Sequence, residues 1–76
     1  MILPNKNITL NYSILGAGSI VLDAIRGKET VSSLWEKMKV KPEINTFDKY
    51  IFILDFLFIL DLIIFEDGLL MRVKHD

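Results

Sequence analysis

Apolar positions recur at different periods along the chain, and each change of period marks an element. Near the start, Asn7-Ile8-Thr9-Leu10-Asn11 alternates polar and apolar residues, which predicts a half-buried strand within residues 1–12. A first helix is predicted from Ser13 to about Arg26. Its apolar face is Ile14, Leu15, Val21, Leu22 and Ile25, and Gly27 stands where a C-cap glycine belongs. Gly16 and Gly18 weaken its opening turns. The second helix is clearer: Thr30 is a good N-cap, and Val31, Leu34, Trp35 and Met38 fall at i, i+3, i+4 and i+7. Pro42 closes it. A third helix is expected from an N-cap at Asn45 or Thr46 to about Leu62. Then Ile63-Ile64-Phe65-Glu66, Asp67-Gly68 and Leu69-Leu70-Met71-Arg72-Val73 read as a β-hairpin. Lys74-His75-Asp76 is expected to fray.

Strand, helix, helix, helix, hairpin is the element order of a winged helix. The expected architecture is a small α+β winged-helix-like domain over residues 1–76, its N-terminal strand covering one edge of the wing.

The third helix carries a surplus of apolar surface. Phe47, Tyr50, Ile53, Leu54, Leu57 and Leu60 make an ordinary core face. Phe52, Phe56, Ile59 and Ile63, at i, i+4, i+7 and i+11, form a second apolar stripe, rimmed by Asp48, Lys49 and Asp55. Two occupants can cover it. The N-terminal strand and first helix could wrap it from within the chain, or it could anchor a partner, since aromatic side chains inside a charged rim suit protein interfaces.

Composition narrows the classes. Seventy-six residues hold one small domain with thin intrinsic stability, and no cysteine is present to staple it. An apolar fraction of 51% is high for so little interior, which points to burial against another body. Residues 50–65 are the most apolar run, but they are fewer than the ~20 a membrane span needs and include Asp55 and Asp61. The opening Met1-Ile2-Leu3-Pro4-Asn5-Lys6 lacks the charged start and apolar run of a secretory leader, so a cytoplasmic location is expected. Residues 44–70 hold five acids against the single base Lys49, a local charge of −4 that repels phosphate. A basic cluster does lie between residues 26 and 41. Within it Lys37, Lys39 and Lys41 are the candidates for a weak nucleic-acid contact, with a solvated face as the simpler reading.

Catalytic material is missing. With no cysteine, and with the one histidine, His75, next to last, neither a nucleophile–base pair nor a His-containing metal site can be composed. Gly16-Ala17-Gly18-Ser19 lacks the Lys-Ser/Thr of a P-loop and the third glycine of a dinucleotide fingerprint. No catalytic residue, cofactor or metal is expected.

Several segments resemble one bacterial family: Met1-Ile2-Leu3-Pro4-Asn5-Lys6-Asn7-Ile8, Ser13-Ile14-Leu15-Gly16, Thr30-Val31-Ser32-Ser33-Leu34-Trp35-Glu36, Phe47-Asp48-Lys49 with Leu54-Asp55, and Phe65-Glu66-Asp67-Gly68-Leu69-Leu70. Together they are similar to small middle components of ABC-three-component systems, in which a short protein is encoded with an SMC/Rad50-like ABC ATPase and a third component. The resemblance implies a non-catalytic adaptor subunit of an anti-phage or anti-plasmid defence complex, docked on the ATPase and linking it to an effector. Phe52, Phe56, Ile59 and Ile63, with Asp48, Lys49 and Asp55, are the expected contact set, and a second copy of the chain is the other candidate partner. A winged-helix DNA-binding protein or small transcriptional regulator is the alternative, although direct sequence-specific DNA binding is not expected.

Overall fold

The hairpin and the second helix form where their local chemistry is strongest. In the computed structural model, residues 5–73 are described, with side-chain surroundings from Ile14 onward. Residues 1–4 of the segment expected to be extended, and the fraying expected at Lys74-His75-Asp76, lie outside them. The elements are α1 (Asn5–Ala24), α2 (Val31–Met38), α3 (Phe47–Ile59), β1 (Ile63–Glu66) and β2 (Leu69–Arg72). Three helices followed by a two-stranded antiparallel hairpin make a small α+β fold.

α2 begins at a reciprocal cap. Thr30 Oγ1 accepts from the Ser33 N–H at 2.9 Å, and Ser33 Oγ accepts from the Thr30 N–H at 3.0 Å. Two of the orphan donors of a first helical turn are thereby satisfied. α3 starts likewise on Thr46, whose Oγ1 accepts from the Lys49 N–H at 3.2 Å. In the hairpin Asp67 (φ 54°) and Gly68 (φ 77°) both take positive φ, as a type I′ turn requires. The register follows, with Glu66 opposite Leu69, Phe65 opposite Leu70, Ile64 opposite Met71 and Ile63 opposite Arg72.

Two expectations are corrected. The alternating segment at residues 7–11 is helical, within α1, so no N-terminal strand forms there. Five alternating residues are too few to fix a period, and extending an existing helix adds a hydrogen bond per residue without a new nucleus. Gly16 and Gly18 are likewise carried inside α1. The outer edge of β2 is met instead from the connector between α1 and α2. There Glu29 exchanges both main-chain bonds with Leu70, N–H to carbonyl at 3.0 Å and, in return, 2.6 Å.

α3 also stops three residues before the expected Leu62. Asp61 takes φ 62°, its N–H bonds the Phe58 carbonyl at 2.9 Å, and the Leu62 N–H bonds the Leu57 carbonyl at 3.0 Å. This pair of bonds is a Schellman motif with aspartate at the left-handed position where glycine is usual.

Ala17, Val21 and Ile25 bring the apolar face of α1 into the core at i, i+4, i+8. Leu34 and Met38 of α2, Ile44, four residues of α3, Ile63 and Leu70 complete it. Tyr50 is the largest of these side chains, and its hydroxyl donates to the Val31 carbonyl at 2.6 Å. Burial, aided by the charge of Glu29, pushes the Tyr50 phenol up to about 12.

Candidate interaction surface

α3 presents its two faces differently. Tyr50, Ile53, Leu54 and Leu57 are buried, as the core face requires. Phe47 and Leu60, expected in that face, lie at its ends and are about half exposed. Phe47 still packs edge-on against Trp35, with ring centroids 5.3 Å apart.

The four residues of the second stripe separate into three environments. Phe52 is 54% exposed and Ile59 81% exposed. Phe56 is partly buried against α1: a Cβ on Gly18 would lie 3.9 Å from its ring and 3.5 Å from Leu57. Ile63 is 1% exposed, inside the core, and is not available to another body. Helical spacing placed Ile63 on the stripe, but the chain leaves α3 at Leu60 and Ile63 opens β1. Wrapping by the rest of the chain therefore accounts for Ile63 and part of Phe56, and leaves Phe52 and Ile59 in solvent. Around them Asp48 and Asp55 are exposed and Lys49 is half-buried.

The apolar surface continues onto α1. A shallow groove of about 190 Å³ runs between the helices, lined by Leu15, Leu22, Phe56, Leu60 and Leu62 over Gly18. Leu15 is 54% exposed. It was expected on the apolar face of the helix, yet it sits two residues, about 200° of helical rotation, from buried Ala17. The spacing of Ala17, Val21 and Ile25 is the signal that would have placed Leu15 outside.

At the α1–α2 connector and along α2 the polar groups are tied to one another. The Glu29 carboxylate accepts from Lys37 Nζ at 2.7 Å and from Ser33 Oγ at 2.8 Å. The Lys37 ammonium, then Ser33, hold the carboxyl of Glu29 below the usual carboxylate range against the opposing effect of burial. Lys39 pairs with Glu36 at 2.7 Å, and Lys41 is exposed. Two of the three lysines considered for a nucleic-acid contact thus already face an acid.

Among the described residues, no group of three or more His, Cys, Asp or Glu side chains is placed to hold a metal ion, and no helix is long and apolar enough to cross a membrane. No curated protein and no solved structure matches the chain. A family match covers residues 3–74, nearly the whole length, and its description is ABC-three component (ABC-3C) system Middle Component 6. A two-faced central helix on a small α+β scaffold is thus the form this protein gives to that component: the chain belongs to the Middle Component 6 family of ABC-three-component systems.

Proposed function

We propose that this protein is a non-catalytic adaptor, a single winged-helix-like domain over residues 1–76. It works in the cytoplasm of a bacterial anti-phage or anti-plasmid defence system, where it docks on the SMC/Rad50-like ABC ATPase and links it to the effector. Family membership supplies the system and therefore the partners among which the chain works. Three helices followed by a hairpin, with Glu29 bridging to the wing from between α1 and α2, support the winged-helix description. One observation carries the docking reading: Phe52 and Ile59 stand in solvent on a helix whose opposite face is core. In a chain of 76 residues an exposed aromatic–aliphatic stripe with Asp48, Lys49 and Asp55 at its rim is surface suited to a partner. Leu15, Leu60 and the exposed part of Phe56 extend it, while Ile63 stays in the core.

The reading is tested by tagging the ATPase of the same operon and recovering the complex. Ile59→Asp together with Phe52→Asp leaves the isolated chain folded by circular dichroism and removes it from the complex. If the double variant still co-purifies at full yield, the stripe is not the docking surface. Direct DNA reading has the weaker support. The −4 charge over residues 44–70 opposes it, and Lys37 and Lys39 are paired to Glu29 and Glu36.

A further inference from the structure

The wing offers a second and different surface. Leu70 uses both its N–H and its carbonyl on Glu29, at 3.0 and 2.6 Å. In an antiparallel ladder, pairs that exchange hydrogen bonds alternate with pairs that do not. Phe65 and Leu70 are therefore the non-bonded pair, and the N–H and carbonyl of Phe65 point away from β2, across the outer edge of β1. Among the described residues neither group has a hydrogen-bond partner, and Phe65 is 52% exposed. What Glu29 completes at the outer edge of β2 is left open at the outer edge of β1.

An open strand edge is a template for another strand unless something guards it. Asp55, Asp61, Glu66 and Asp67 are all exposed, and none has an ion-pair partner among the described residues. Asp55 also lines a groove of about 170 Å³ with Phe65, Ile51, Phe58 and Val31. These acids oppose edge-to-edge pairing with a second copy, which would bring the same charges to the seam. The same acids favour a basic strand. We infer that the outer edge of β1 captures an extended segment of a partner protein in which apolar residues alternate with Lys or Arg. The segment takes the two main-chain bonds of Phe65, lays its apolar side chains in the Ile51–Phe58–Phe65 groove and turns its basic ones to the opposite face, the face to which Glu66 points. This contact is separate from the α3 stripe and does not depend on it.

The test uses the full chain, ¹⁵N-labelled, with three synthetic octapeptides: alternating Lys-Val, alternating Glu-Val, and the Lys-Val peptide N-methylated at alternate amides. The Lys-Val peptide is expected to shift the Ile64, Phe65 and Glu66 amides and to slow exchange of the Phe65 amide about tenfold or more, while the other two peptides do neither. Glu66→Lys should weaken the Lys-Val peptide by about tenfold and admit the Glu-Val peptide. The proposal is overturned if the N-methylated peptide binds equally well, because charge alone then suffices. Shifts at Phe52 and Ile59 instead of the edge overturn it too, as does no shift at millimolar peptide. Self-association through Ile64–Glu66 without peptide also overturns it and makes the occupant a second copy. Ile59→Asp is expected to keep peptide binding whether or not the α3 stripe docks a partner; its loss overturns the proposal.

Discussion

The two flanks of α3 are built from different interactions. Toward α2 and the hairpin, the chain is fastened by directional bonds. The Tyr50 hydroxyl reaches Val31, Glu29 is held by Lys37 and Ser33, and the Glu29 main chain is stitched to Leu70. Toward α1 the described contacts are apolar, over the floor at Gly18, and Leu15, Phe52, Ile59 and Leu60 remain about half exposed or more. Directional bonds fix one arrangement, whereas apolar contact is satisfied by any complementary surface. The bonded flank therefore holds one arrangement, while the α1 flank keeps apolar side chains in solvent.

The widest gap between the flanks should appear on truncation. Leu34→Ala, in the fastened core, is expected to cost about 2–4 kcal/mol in urea unfolding, whereas Phe52→Ala should fall within about 0.5 kcal/mol. Equal losses would erase the distinction. Next comes Glu29→Gln, which should cost about 1–2 kcal/mol near neutral pH. Because the folded-state carboxyl titrates below its ordinary value of 4.5, its contribution is complete above that value and is lost as pH falls through the lowered one. The gap in Tm between the natural chain and the variant should close in acid; a gap that holds steady down to pH 2 would show the carboxylate is not what matters. The smallest expected effect is a gain. Asp61→Gly relieves a left-handed residue at the end of α3 and should add about 0.5–1 kcal/mol, read as a rise in Tm. No gain would mean the aspartate side chain offsets its own backbone cost.

The fold was legible where short-range chemistry decides. Thr30 with a helical stripe behind it placed α2, and Asp67-Gly68 placed the hairpin. α1 was less so, because alternation across residues 7–11 fits a strand locally while the helix is settled over twenty residues. The end of α3 was hidden in Asp61, whose left-handed conformation is uncommon for a residue with a Cβ. The surface inherited both limits. Phe52 and Ile59 followed from spacing inside the true helix, Ile63 was misplaced because the helix ends before it, and Leu15 was missed because one face of α1 was drawn too wide. No spacing rule shows an open strand edge, which depends on the pairing Glu29 imposes on Leu70.

That stitch has a mechanical consequence. β2 is paired on both margins, along its length by β1 and at Leu70 alone by Glu29 of the α1–α2 connector. Moving the hairpin away from the connector stretches the two bonds at Glu29, a few residues past the last turn of α1. The hairpin is thereby tethered twice, to the end of α3 through its own chain and to the segment just beyond the long helix through Glu29.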